Sequence, residues 1–91
     1  MVYHNSFTVI YDDLSMYLNT HDMSLLKEDM LQLSYKDYIV DLGYYSNGFM
    51  LYVVKAYEWD APIKKEHIQE SDIKNKIDKT CDEVLFMYNG E

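Results

Sequence analysis

The fold is decided by one central stretch, DYIVDLGYYSNGFMLYVVKAY, which occupies residues 37–57. It contains two runs of β-branched and aromatic residues, 37–45 and 49–57, on either side of Ser46, Asn47 and Gly48. An Asn-Gly pair between two such runs is the strongest short-range signal of a β-hairpin. We therefore predict antiparallel strands at 37–45 and 49–57, joined by a two-residue turn at Asn47 and Gly48 that places Ser46 opposite Phe49.

Successive side chains of a strand point to opposite faces of the sheet, so the hairpin should have two different faces. One face is apolar and carries Val40, Leu42, Tyr44, Phe49, Leu51 and Val53. The other mixes apolar, phenolic and acidic side chains and carries Ile39, Asp41, Gly43, Tyr45, Met50, Tyr52, Val54 and Ala56. We expect helices to cover the first face and to leave the second exposed as a binding surface. The alternative is a three-layer arrangement in which the N-terminal helices cover the second face.

The segments outside the hairpin suggest helices and one further strand. Apolar residues at three-and-four spacing predict an N-terminal helix that contains Phe7, Ile10, Tyr11, Leu14, Tyr17 and Leu18. A short strand at Val9 and Ile10 is the alternative there. A second helix is predicted from Ser24 to Leu33, a possible third strand at 63–69 and a C-terminal helix at about 72–88. The expected fold class is α+β, with two N-terminal helices, a small antiparallel sheet built on the central hairpin and a final helix, in one domain spanning residues 1–91.

Composition favours a binding role. The chain of 91 residues has 16 Asp and Glu against eight Lys and no Arg, a formal charge of −8, and ten Tyr. Such a charge attracts cations and repels nucleic acid and anionic lipid, so we expect neither as a partner. Tyrosine is enriched where proteins meet, because it offers a rigid contact area with one polar tip. The alternative explanation of the charge is solubility alone.

Patterns that would indicate catalysis or a cofactor are not found. His4, His21, His67 and the single Cys81 lack the spacing of a zinc site, and three glycines form no phosphate-binding loop. Cys81 falls on the apolar stripe of the C-terminal helix, so we expect a buried thiol. A lone cysteine and the absence of a signal-like N-terminus or a membrane-length apolar run predict a cytoplasmic protein. We expect no enzyme activity, cofactor or metal.

The candidate protein-binding residues lie on and beside the hairpin. Asp41, Tyr45 and Tyr52 share its mixed face, and Glu58 and Asp60 flank Trp59 at its end. Second choices are the adjacent carboxylates Asp12 and Asp13, for which the alternative is a solvated helix face. Trp59 itself is expected either in the core or at an interface, where tryptophan often contributes much of the binding energy.

Two motifs carry a resemblance to a known family. The strand Asp41-Leu42-Gly43-Tyr44-Tyr45 and the later Trp59-Asp60-Ala61-Pro62, followed by a final helix, resemble small immunity proteins of bacterial polymorphic-toxin systems, which include contact-dependent growth inhibition. The resemblance covers roughly residues 36–88, and the chain has Tyr44 where such families often have Trp. It implies a cytoplasmic, non-catalytic protein that binds a cognate toxin domain and blocks its active site. A nuclease domain with a basic cleft would suit an acidic inhibitor.

Two other functions fit the same composition. One is a phage-encoded acidic inhibitor of host defence, such as an anti-CRISPR protein or a DNA mimic. The other is a non-catalytic interaction protein that forms a homodimer through the same aromatic face. Genome neighbourhood would distinguish the first from an immunity protein, and analytical ultracentrifugation would identify the second.

Overall fold

A five-stranded antiparallel sheet dominates the fold of this protein. The structure is a computed structural model, and it describes residues 2–91. The strands follow one another across the sheet in chain order: β1 (Thr8–Asp12), β2 (Leu31–Tyr35), β3 (Tyr38–Tyr45), β4 (Gly48–Lys55) and β5 (Lys64–Ile68). Within residues 2–91 two α-helices accompany them, α1 (Leu14–Thr20) and α2 (Ile73–Asn89). Short 3₁₀ turns lie at Met23–Leu25 and Glu70–Asp72.

The predicted pair of N-terminal helices is wrong, and with it the predicted fold class. The segment predicted as the first helix forms β1 and then the short α1, while residues 24–33 form a 3₁₀ turn and the start of β2. A β-bulge between Val9 and Tyr11 is one reason, because its extra residue breaks the period-2 pattern and makes the segment look helical. In β2, Leu31 and Leu33 alternate with polar residues. Pairing with the two neighbouring strands, β1 and β3, stabilises this segment as a strand in place of the predicted helix.

The central hairpin is formed by β3 and β4, but its register differs from the prediction. Tyr45 lies opposite Gly48, so the turn residues are Ser46 and Asn47 and the predicted pairing of Ser46 with Phe49 is wrong. The shift amounts to two positions, and an even shift leaves every side chain on its predicted face. β3 ends at Tyr45 as predicted, whereas β4 ends at Lys55 rather than at position 57.

Both helices pack on the same side of the sheet, which we call the helix-covered face. Its strand residues are Leu31, Leu33, Val40, Leu42, Leu51 and Val53, and each is fully buried. Leu14 and Tyr17 of α1 and Ile73, Ile77, Cys81 and Val84 of α2 complete this core. Burying a side chain of this size stabilises the fold by roughly 1.5–3 kcal/mol. The three-layer alternative is therefore wrong, because α1 joins α2 on one face.

The C-terminal part of the chain is close to the expected one. The predicted third strand at 63–69 corresponds to β5, and the predicted helix at 72–88 corresponds to α2. Cys81 lies on the inner side of α2 with no exposed surface, which confirms the expected buried thiol. Burial raises the pKa of this thiol to about 12, so it stays protonated and unreactive at neutral pH.

Candidate protein-binding face

The opposite side of the sheet, which we call the helix-free face, carries the mixed side chains of the hairpin and of its neighbours. Alternation and strand pairing place on it Gln32, Ser34, Ile39, Asp41, Gly43, Tyr45, Met50, Tyr52, Val54, Lys65 and His67. The apolar residues Ile39, Met50 and Val54 are at most 6% exposed. Both helices lie on the other side of the sheet, so other parts of the chain bury these three residues. The centre of the helix-free face is therefore less exposed than predicted, and its accessible side chains include those of Tyr45, Tyr52 and Lys65.

Asp41 is the charged residue at the centre of this face, and it is only 5% exposed. Its Oδ2 accepts hydrogen bonds from the hydroxyl of Tyr11 at 3.3 Å and from Nε2 of Gln32 at 3.2 Å. Oδ1 accepts no hydrogen bond from any residue of the range 2–91. Burial raises the pKa of the Asp41 carboxyl above its ordinary value of 3.8, and the two hydrogen bonds only partly oppose this.

A second carboxylate, that of Asp29, lies close to Asp41. The hydroxyl of Tyr11 is 3.4 Å from Oδ1 of Asp29 and 3.3 Å from Oδ2 of Asp41, so these two oxygens are no more than about 7 Å apart. The hydroxyl has one proton and can serve one carboxylate at a time. Within residues 2–91 neither carboxylate has a lysine or histidine within ion-pairing distance. Burial and these two negative charges together raise the pKa of the Tyr11 hydroxyl well above its usual range.

Tyr45 and Tyr52 form an aromatic pair beside the carboxylates. Their ring centroids are 6.1 Å apart at an interplanar angle of 66°, and both side chains are half-buried. Tyr52 lies directly opposite Asp41 in the strand pairing, and Nζ of Lys65 is 5.8 Å from the centre of its ring. Burial raises the pKa of Tyr45 to about 12, with smaller contributions from Tyr52, Asp41 and two further carboxylates, those of Glu28 and Asp29.

Gly43 explains how Glu28 and Asp29 reach this face. A side chain at position 43 would place its Cβ only 2.0 Å from the backbone oxygen of Glu28, so the segment 27–30 can approach β3 this closely because position 43 has no side chain. Hydrogen bonds hold it there, from the amide of Tyr44 to the oxygen of Lys27 at 2.8 Å and from the amide of Met30 to the oxygen of Leu42 at 3.2 Å.

We call the resulting group the acid–tyrosine cluster, which consists of Tyr11, Glu28, Asp29, Asp41, Tyr45 and Tyr52. Three of its members, Asp41, Tyr45 and Tyr52, are among the residues predicted from sequence. Tyr11, Glu28 and Asp29 were not, because the sequence predicts helices for their segments. A glycine inside a strand of bulky residues was the available signal, since such a glycine often marks a close approach of another backbone.

The other predicted acidic residues lie apart from this cluster. Asp12 accepts hydrogen bonds from the amide of Ser15 at 2.9 Å and from its hydroxyl at 2.6 Å, which ties β1 to the first turn of α1. Asp13 forms an ion pair with Lys27 at 2.6 Å. Both side chains therefore have partners within the chain. The prediction that they share one face of a long N-terminal helix is wrong.

Glu58 and Asp60 lie in the exposed loop between β4 and β5, at the far end of the hairpin from Tyr45. At about 3.3 Å per strand residue, the two ends are on the order of 25 Å apart. Trp59 between them is 44% exposed, so it is not a core residue. The structure thus groups Asp41 with Tyr45 and Tyr52 and places Glu58 and Asp60 elsewhere.

The loop nevertheless borders the helix-free face. Tyr57, which is 76% exposed, shares a shallow depression with Ile10, Gln32 and Ile39. Both Ala56 and Tyr57 have left-handed backbone angles, with φ of 56° and 59°. That conformation costs a non-glycine residue roughly 1–2 kcal/mol. This turn places the exposed Tyr57 side chain at the second end of the face.

Residues 2–91 contain no group of three or more His, Cys, Asp or Glu side chains placed to hold a metal ion. Over the same residues, no helix has the length and apolar character needed to cross a bilayer.

Comparison of the chain with protein-family models, with curated proteins and with solved structures gives no match.

Proposed function

We propose that this protein is a cytoplasmic immunity protein that binds a basic toxin domain, such as a nuclease, through the acid–tyrosine cluster and covers its active site. The observation that best supports this proposal is Asp41. It is a buried carboxylate with one unoccupied oxygen, it adjoins a second carboxylate, and it has no cation of its own within residues 2–91.

Such an arrangement is costly in the free protein. Asp41 is almost wholly buried and has no ion-pair partner within residues 2–91, although its unbonded Oδ1 keeps a small contact with solvent. Partial removal of an ionised carboxylate from water without a compensating charge is unfavourable. A lysine or arginine of a partner that reached Oδ1 would recover part of this cost, because charge-assisted hydrogen bonds are about twice as strong as neutral ones. The cluster therefore favours a partner that presents a cationic side chain.

Tyr45 and Tyr52 add contact area around that charge. Both rings are half-buried and packed against each other, so they lose little conformational freedom when a partner covers them. Residues of this kind at the centre of an interface commonly supply most of the binding energy.

The charge of the whole chain favours the same class of partner. Four of the eight lysines, Lys27, Lys55, Lys64 and Lys76, are already paired with carboxylates of the chain. The net charge of the chain is −8, so its electric field accelerates the association of a basic molecule. Inhibition by occlusion requires no cofactor and no reaction by this chain.

The test is capture of the partner from cells of the native host, followed by mass spectrometry and a growth assay. We expect the wild type to retain a basic domain that arrests growth when it is expressed alone, and co-expression of the wild type to restore growth. The double variant Asp41→Asn/Tyr52→Ala should lose both capture and rescue.

Asp60→Asn is the matched control, since it removes the same charge from an exposed residue at the far end of the hairpin. It should behave like the wild type. Capture of a partner equally well by the double variant, or rescue that depends on Asp60 instead, would contradict the proposal.

A further inference from the structure

A second candidate surface lies on the other side of the molecule, where α2 runs beside the end of β4 and the start of β5. A groove of about 550 Å³ opens there, and its apolar lining consists of Val53, Ile63, Phe86 and Met87. Phe86 is 82% exposed and Ile63 is 47% exposed. A large exposed phenylalanine beside an apolar groove on a regular helix is unusual for a surface that faces only water.

The charges around this groove are balanced. Lys64 and Lys79 line it together with Asp82 and Glu83, so its net charge is zero. The remaining six lysines and fourteen carboxylates account for the whole charge of −8. A basic partner is attracted mainly to other parts of the chain, whereas another acidic molecule meets no net repulsion here.

We propose that a second copy of this chain docks on this surface, with Phe86 of each copy inserted into the groove of the other. A two-fold contact uses the same patch on both molecules, so that patch must contain both the projecting group and the cavity that receives it. It must also carry both signs of charge. The Phe86 groove meets these requirements, while the acid–tyrosine cluster, with its three carboxylates, would repel its own copy.

This dimer goes beyond the proposed function and does not depend on it. Val53 belongs to the helix-covered face and α2 packs on that face, so contact through the groove leaves both helix-free faces outward. The homodimer considered from sequence used the aromatic face and would have covered the acid–tyrosine cluster. The dimer proposed here can instead bind two partner domains at once.

Sedimentation equilibrium of the full chain up to about 500 µM tests the contact. We expect a dimer for the wild type and, for Phe86→Ser, a dissociation constant at least about tenfold higher, as for other buried aromatic anchors. Met23→Ser is the control, because Met23 is 67% exposed in a 3₁₀ turn and does not line the groove. A monomeric wild type overturns the proposal, as does a dimer that is weakened by Tyr45→Ala and not by Phe86→Ser.

A charge exchange tests the same contact without altering Phe86. Lys79→Glu gives the groove a net charge of −2 and Asp82→Lys gives it +2, so each variant alone should dimerise at least about tenfold more weakly than the wild type. An equimolar mixture should form a heterodimer, because the two patches then have opposite charges. Failure of the mixture to associate, with both variants folded by circular dichroism, would count against docking at the groove.

Discussion

At the scale of single residues, Asp41 is where stability and binding oppose each other. Its carboxylate is buried among Tyr11, Gln32 and Tyr52, and two neutral hydrogen bonds offset only part of the cost of burying its charge. If stability alone determined the residue at position 41, an amide or an apolar side chain would be expected there. A carboxylate here is better explained by the cation that it binds in the complex.

Asp41→Asn should therefore leave the free protein as stable as the wild type, or more stable, at pH 7. Because burial raises the pKa of the folded carboxyl above 3.8, ionisation of Asp41 lowers the stability of the fold as pH rises past that value. In the wild type this loss is recovered as pH falls through the folded pKa toward 3.8. Urea unfolding of both proteins at pH 7, 5 and about 4 should show the difference between them shrinking on acidification.

Asp60→Asn should match the wild type throughout that series, since its carboxylate is exposed. A large loss of stability in Asp41→Asn at pH 7 would mean that the carboxylate serves mainly to hold Tyr11 and Gln32, and the binding role of Asp41 would then lose its support.

At the scale of elements, the acid–tyrosine cluster depends on the close approach of segment 27–30 to β3 at Gly43. The segment enters β2 through Met30, whose amide bonds to Leu42, and it passes close to Gly43 with its two carboxylates pointing to the cluster side. No strand or helix of its own holds it there. Its position rests on backbone hydrogen bonds to β3 and to the start of α1, on the ion pair of Lys27 with Asp13, and on the missing side chain at position 43.

Gly43→Ala should both destabilise the fold and disturb the cluster. The added Cβ would lie 2.0 Å from the oxygen and 2.7 Å from the carbonyl carbon of Glu28, which are backbone atoms that cannot turn aside. Overpacking of this kind costs roughly 1–3 kcal/mol. Thermal unfolding measures the loss, and amide chemical shifts of Glu28 and Asp29 report the displacement. Gly90→Ala is the control, since its Cβ would meet nothing closer than 3.6 Å; equal stability of the two variants would refute the close approach.

At the scale of the whole molecule, the sheet separates two surfaces with different electrostatic character. The helix-free face holds an uncompensated acidic group, while the side covered by α2 holds the charge-balanced Phe86 groove. With a net charge of −8, the protein should attract basic molecules over a distance of about one Debye length, roughly 8 Å at physiological salt.

The association rate with the captured basic domain should therefore fall at least about tenfold between roughly 50 and 500 mM salt, with little change in the dissociation rate. Stopped-flow fluorescence of Trp59 or surface plasmon resonance would measure both rates. Glu28→Gln/Asp29→Asn should reduce the salt dependence more than Asp60→Asn/Asp78→Asn, which removes two exposed charges outside both the cluster and the Phe86 groove. An association rate independent of salt would exclude steering by the acidic field.

Several features could be predicted from local sequence. The Asn47-Gly48 signal located the hairpin, alternation assigned Val40, Leu42, Leu51 and Val53 to one face and Asp41, Tyr45 and Tyr52 to the other, and an apolar stripe marked Cys81 as buried. These assignments depend on the two-residue period of a strand or on the spacing of a helix. The error in the predicted register of the hairpin therefore did not change them. The N-terminal segments were misread, since a bulge in β1 imitates helical spacing.

The sequence alone determined what each face of the hairpin carries and that the chain is acidic and rich in tyrosine, because alternation along a strand and composition are local properties. Only the tertiary structure decided that both helices lie on one face and that Tyr11 and the segment 27–30 reach Asp41. These outcomes depend on which backbones pair or come close over long distances in the chain. The absence of a side chain at Gly43 allows another backbone segment to approach closely, but it does not indicate from the sequence which segment that is.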